Sequence, residues 1–120
     1  MIKSTHLNTT GDTEVFRSTS TGANGGTVQD MAVVCIIVCN TGAPDPLLID
    51  ETINQSTLTL NLSTTGTSST TNTIVKNLMV PAGETVFFSD EKIILAGNNQ
   101  IRATASAANL LSITVSALPV

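Results

Sequence analysis

The side chains able to do chemistry are few and widely spaced. The one histidine, His6, stands near the N-terminus, whereas general-base catalysis needs an imidazole held firmly beside the group it deprotonates. Serine and threonine are abundant, yet no second histidine or well-placed lysine is there to activate them. Cys35 and Cys39 lie four residues apart in Val33-Val34-Cys35-Ile36-Ile37-Val38-Cys39. This β-branched run reads as a buried strand. Four strand residues span about 13 Å, and a disulfide needs Cα atoms within about 7 Å, so the two thiols are expected not to bridge. They are expected to be small buried hydrophobes, with no basic neighbour to lower a thiol pKa. A metal centre would call for further Cys or His ligands, which the sequence lacks. Asp45, Asp50 and Glu51 flank a turn, and Asp90 and Glu91 lie between two strands; such carboxylates can hold Ca²⁺ with loop oxygens, but their spacing follows no cation-loop motif. The glycines are isolated turn residues, not a phosphate-cradling loop ahead of a helix. The expectation is a chain with no catalytic, cofactor-binding or metal-ligating residues: not an enzyme, and without a cofactor.

The elements that would position any site are strands. At 120 residues the chain matches one domain that buries roughly two thirds of its unfolded surface. No window of twelve residues carries apolar side chains at helical spacing with caps. Residues 56–63 alternate fully, with Leu58, Leu60 and Leu62 on one face and Thr57, Thr59 and Asn61 on the other. Further strands are expected at 13–18, 30–40, 73–80, 85–88, 92–95, 100–105 and 111–117, with a short apolar segment at 47–52. Turns fall at 41–46, at Pro81-Ala82-Gly83 and at 96–99, and residues 64–71 read as a low-complexity loop. About eight short strands separated by turns predict an all-β, two-sheet antiparallel β-sandwich, either jelly-roll or Ig-like. Residues 1–28 are expected to form a polar N-terminal arm and a first strand, with the sandwich over 29–120 and everything in one domain. Residues 1–11 are expected to be the extended arm, ordering only against a partner.

Composition narrows the function classes. Charged residues are 12% and aromatics 2%, with no Trp or Tyr, against about 25% charged in an ordinary soluble domain. A surface of Thr, Ser, Asn and short aliphatics suits close packing against a neighbour, because few charges must be desolvated. Lys3, Arg17, Lys76, Lys92 and Arg102 are scattered through a chain of net charge −4, which offers nucleic acid neither a phosphate-binding run nor stacking aromatics. The longest apolar run, 31–38, is far short of the ~20 residues of a membrane span, and the N-terminus lacks a signal-peptide pattern. Synthesis in a cytoplasm is expected, and the three Asn-X-Ser/Thr sequons at Asn8, Asn54 and Asn61 read as composition.

The C-terminal part carries a resemblance. Val80-Pro81-Ala82-Gly83-Glu84-Thr85, then 93–102 around Ala96-Gly97-Asn98-Asn99, then Ala103-Thr104-Ala105-Ser106-Ala107-Ala108-Asn109 leading into a terminal strand, resembles small virion structural proteins of tailed bacteriophages over residues 74–120. Asn98 stands where that pattern more often has an acid, which removes a basis for a cation at the turn. The resemblance implies a virion component, foremost a capsid decoration (cement) protein that binds the outer lattice and stabilises the head. A neck, head–tail connector or tail protein is the alternative, and a receptor- or glycan-binding sandwich of a fibre is a further one, disfavoured by the missing Trp and Tyr. The implied partners are the major capsid protein or other virion proteins and further copies of the chain, as a trimer or dimer. Ala103, Ala105 and Ala107 are small enough for close backbone approach, expected in the sandwich interior.

Overall fold

Alternation builds the strands. In the computed structural model, which describes residues 1–50, 52–64, 72–90 and 92–120, Leu58 and Leu60 are fully buried while Thr57 and Thr59 between them are half-exposed. Each buried leucine contributes roughly 1.5–3 kcal/mol relative to leaving it in water. Among the described residues nine strands follow in order: β1 (Ile2–His6), β2 (Thr13–Arg17), β3 (Met31–Asn40), β4 (Ser56–Ser63), β5 (Thr73–Val80), β6 (Thr85–Phe88), β7 (Ile93–Leu95), β8 (Gln100–Ala105) and β9 (Leu111–Pro119). The loop expected at 64–71 lies, apart from Thr64, outside the described residues.

The strands form two antiparallel sheets. The first has the order β1-β9-β3-β6, with β7 following β6 along the same edge of β3; the second has the order β2-β8-β4-β5. The pairing is nested: β1 with β9, β2 with β8, β3 with β6 and β7, and β4 with β5. A chain paired in this way is one long antiparallel ribbon doubled back at the β4–β5 connection. Wrapping that ribbon so that β9 also meets β3 and β8 also meets β4 gives the two sheets, which is the jelly-roll arrangement.

The core lies between the sheets. Its largest fully buried side chains include Phe16, Leu7, Met31, Leu58, Leu60, Ile101, Leu111 and Ile113. Leu58 pairs with Ala105 and Leu60 with Ala103 across β4 and β8, so large and small side chains alternate and the layers interlock. Ala103 and Ala105 are buried as expected, whereas Ala107 is half-buried beyond the end of β8.

Three segments differ from the sequence expectation. Residues 1–11 do not wait for a partner: β1 is ordered along β9 of the same chain, with Leu7 buried in the core. Together with β2 it gives each sheet an edge strand, so the segment up to Arg17 contributes to both layers. The reason is backbone pairing: the ladder satisfies N–H and C=O groups whatever the side chains, and an edge strand can stay polar. The apolar segment expected at 47–52 forms no strand over its described residues, 47–50 and 52. Both carboxylate oxygens of Asp45 accept backbone N–H groups, from Leu47 at 3.2 Å and Asp50 at 3.1 Å, and such local bonds compete with a sheet ladder. The third difference is the thiols. Val33 pairs with Ala117 and Cys35 with Ser116, so Val34 is an extra residue in a β-bulge. The bulge resets the alternation, and Cys35 and Cys39 turn to the outer face, half-exposed and unbridged.

The ends of the strands are pinned. Pro81 O accepts the Glu84 N–H at 3.1 Å around Gly83 at φ 77°, a tight turn that needs a left-handed residue in its third position. Ala96 to Asn99 makes the same kind of turn with Asn98 at φ 71°. Buried Asn40 donates to Asn54 O at 2.9 Å and Val80 O at 2.8 Å and accepts from Gly42 N at 2.8 Å, so one side chain ties β3 to the 41–55 loop and the end of β5. The segment between β2 and β3 is anchored by buried Ser18, whose hydroxyl lies 2.6 Å from Gln29 O and 3.1 Å from Leu95 O.

Candidate interaction surfaces

The residues singled out for chemistry are dispersed by the fold. His6 lies at the exposed end of β1 with Nδ1 2.8 Å from Ser112 Oγ. That separation suits a base and a hydroxyl, but the pair sits on an open sheet face, and the two clefts described below are lined by other residues. Asp45 and Asp50 come together in the 41–55 loop, where both are taken up by backbone bonds. Asp50 Oδ1 accepts from Thr52 Oγ1 at 2.6 Å and Thr52 N at 2.9 Å. The Thr52 hydroxyl first, and its N–H second, hold the Asp50 carboxyl below the ordinary value of 3.8. Asp90 is exposed near the end of β6, and Glu51 and Glu91 lie outside the described residues. Among the described residues no three His, Cys, Asp or Glu stand close enough to share a metal ion, and no helix is long and apolar enough to cross a membrane.

What the fold does assemble is surface. The outer face of the first sheet is laid out in cross-strand rows. Ile94, Ala32 and Leu118 form one row and Cys35, Ser116 and Ile2 the next. Phe87, Ile37, Thr114 and Ser4 follow, then Thr85, Cys39, Ser112 and His6. No Lys, Arg, Asp or Glu stands in any of these rows. Its margins are apolar and open: Ile2 is 74% exposed, Ile94 70%, Phe87 63% and Leu118 54%. The middle is small, and Ser4 Oγ and Thr114 Oγ1 bond each other at 3.0 Å.

The outer face of the second sheet is charged and self-satisfied. Arg102 donates from Nε to Asp12 Oδ2 at 2.8 Å and from Nη1 to Gln100 Oε1 at 2.7 Å. Arg17 reaches Glu14 Oε1 from Nε at 2.9 Å and from Nη2 at 2.6 Å, and donates from Nη1 to Asn98 Oδ1 at 3.0 Å. Its edge strand β5 is broken by two register shifts, carries Asn77 at φ 51° and exposes Lys76. Bulges and an edge lysine are devices that keep a sheet from pairing with another chain.

Two further features concentrate apolar surface. At the Asn40 end of β3, Leu47, Leu48 and Ile49 stand 73%, 79% and 80% exposed at the tip of the 41–55 loop. The tip is held by the Asp45 and Asp50 bonds and by Asn54 Nδ2 to Ala43 O at 2.9 Å. Leu48 sits in the left-handed region at φ 55°, which an L-residue enters at a cost of roughly 1–2 kcal/mol. A cleft of about 270 Å³ under the tip is lined by Pro44, Leu48, Ile53, Pro81 and three carboxylates. A larger cleft of about 490 Å³ opens between β5 of one sheet and β6 and β7 of the other, where Ile74, Val75, Phe87, Phe88 and Ile93 line the unpaired seam above core Leu60. Lys92 closes its rim, donating to Val34 O at the bulge and to Ser89 O.

Sequence alone had indicated neither the uncharged face nor the tip. The face depends on which strands share a sheet, and the tip on Asp45 diverting 47–52 from a ladder. The run Leu47-Leu48-Ile49 between two aspartates was the available signal for the tip.

Neither a protein-family model nor a curated protein matches the chain by sequence. Its fold is similar to that of a chain in the acid-stable capsid structure of Helicobacter pylori bacteriophage KHP30. The likeness covers 100% of this chain and 91% of the other, with a TM-score of 0.54 and 12% sequence identity.

Proposed function

We propose that this chain is a non-enzymatic structural protein of a bacteriophage virion, and within it a capsid decoration protein that binds the outer lattice and stabilises the head. The observation that carries the reading is the end-to-end likeness of the fold to a chain from a phage capsid. The surface supports it: a decoration protein works by burying area against a lattice, and this chain keeps apolar groups exposed while tying up its arginines in intramolecular pairs. The 41–55 tip is the element best suited to the lattice. Three consecutive apolar side chains on a hydrogen-bonded loop lose little conformational entropy on docking, and strain at Leu48 of the kind found at functional sites accompanies their display. Many copies, each held weakly, sum by avidity over a shell.

The test is the copy number and the position of the chain in particles, with a tip variant beside it. The reading expects hundreds of copies over the shell, and Leu48→Asp, which keeps a folded domain, is expected to lower occupancy on the shell at least tenfold. A single ring of copies at the portal or along the tail would replace decoration with a neck or tail role. Absence from particles would end the virion reading.

A further inference from the structure

We infer that the outer face of the first sheet is a two-fold contact between copies of this chain, formed by β3 and β9 packing against the same strands of a second copy. The inference stands apart from the virion reading, which concerns the loop tip and a different partner.

The first argument is charge. In a two-fold contact each patch meets itself, so every charge on it lies close to its own duplicate. None of the described acids and none of the Lys and Arg stands in the four rows of this face, where His6 at one corner is the ionisable group besides the two thiols. Lys92 is tied at the β6–β7 edge to Val34 O and Ser89 O. The opposite face gathers Arg17, Arg102, Asp12 and Glu14. A face free of charge packs on a copy of itself without repulsion and without the desolvation penalty of buried ions.

The second argument is area. Nine residues each of β3 and β9 pair, with five of β1 and seven of β6 and β7 beside them. At about 3.3 Å per residue and about 4.8 Å per strand these make a face of roughly 475 Å². Two such faces bury about 950 Å², close to the roughly 1,000 Å² below which an interface is weak and transient. Exposed Ile2, Phe87, Ile94 and Leu118 would supply its apolar contacts, and sheets pack face to face about 10 Å apart. An interface at the lower end of the size range gives a dimer that separates on dilution.

Cys35 and Cys39 stand mid-face on β3 and report on its cover. Sedimentation of the purified full chain over a dilution series is expected to show a monomer–dimer equilibrium, with both thiols labelled several-fold more slowly in the dimer. Phe87→Lys combined with Ile94→Lys replaces two exposed side chains, should leave the melting curve unchanged at dilutions where both proteins are monomeric, and is expected to weaken association at least tenfold and open the thiols. Thr104→Lys on the other sheet is expected to leave association intact. A chain that is monomeric throughout with fast-labelling thiols overturns the inference. So does a dimer indifferent to the Phe87 and Ile94 substitutions. Thiols protected only on assembled particles would assign the face to another protein and equally overturn it.

Discussion

The two outer faces of this sandwich are built on the same scaffold and treated in opposite ways. Both belong to antiparallel layers of alternating sequence, one of five strands and one of four, and both are rich in Ser and Thr. On the β2-β8-β4-β5 face, Arg102 and Arg17 bind Asp12, Glu14, Gln100 and Asn98, and the β5 edge is interrupted by bulges. On the β1-β9-β3 face there are no such pairs, and aliphatic and aromatic groups stay open to solvent. A charge content of 12% therefore describes neither face: both arginines are placed where they are internally satisfied, and the other side is left free to pack. The difference teaches that low overall charge matters through its distribution.

That contrast depends first on the phase of β3, and the largest effect should come from disturbing it. Deleting Ile37 moves Val38 and Asn40 to the outer face and Cys39 to the core, because one residue of slip exchanges the faces of a strand. Loss of the Asn40 ties and the buried valine is expected to cost more than about 4 kcal/mol, leaving no cooperative melt. Deleting Val34 is expected to be tolerated, costing about 1–2 kcal/mol, because it removes the bulge residue and lets Val33, Cys35 and Ile36 follow Ala117, Ser116 and Val115 in regular register. Thermal or urea melts of the two deletions decide the matter; equal damage from both would refute the bulge account.

A smaller effect probes the charged face. Arg102→Ala removes the 2.8 Å bond to Asp12 and the half-buried guanidinium over β8. A loss of about 1–2 kcal/mol is expected, part of it sensitive to salt, since paired charges near the surface are screened. Urea melts at low and high ionic strength measure it. No salt dependence would mean the face is held by packing alone.

The smallest effect lies off both faces, in the 41–55 loop. The Asp50 carboxyl is held below 3.8 by the hydroxyl and N–H of Thr52. A carboxylate with a lowered folded pKa contributes stability that is present above its unfolded value and is lost as the pH falls through the folded one. The loop is therefore expected to be insensitive to this group above about pH 4 and to loosen only below it. Thr52→Ala removes the larger of the two bonds and should move the Asp50 titration upward toward 3.8 while the rest of the fold is unchanged, as followed by carboxyl NMR. An unmoved titration would show that the hydroxyl does not hold it.

Much of the layout was legible in the sequence because it is local. The 56–63, 73–80, 85–88 and 100–105 segments are strands with the bounds that alternation and turn residues set, and the two-sheet all-β class follows from their number and spacing. Pro81-Ala82-Gly83 was legible as a turn because Gly83 supplies the positive φ. The candidate surfaces were not. β1 reads as polar because it needs only a backbone ladder with β9 to be ordered. Cys35 and Cys39 read as buried because strict alternation and a β-branched context hide one added residue.

Sequence by itself determined that this chain makes short strands and where most of them begin and end. These follow from side-chain period and turn propensity, which act over a few residues. Tertiary structure alone decided that the ribbon wraps as a jelly roll, that β1 closes against β9 more than a hundred residues away, and that one face is left without charge. Those outcomes depend on which strand lies beside which, and pairing between distant strands is settled by burial and by satisfying the backbone across the whole molecule.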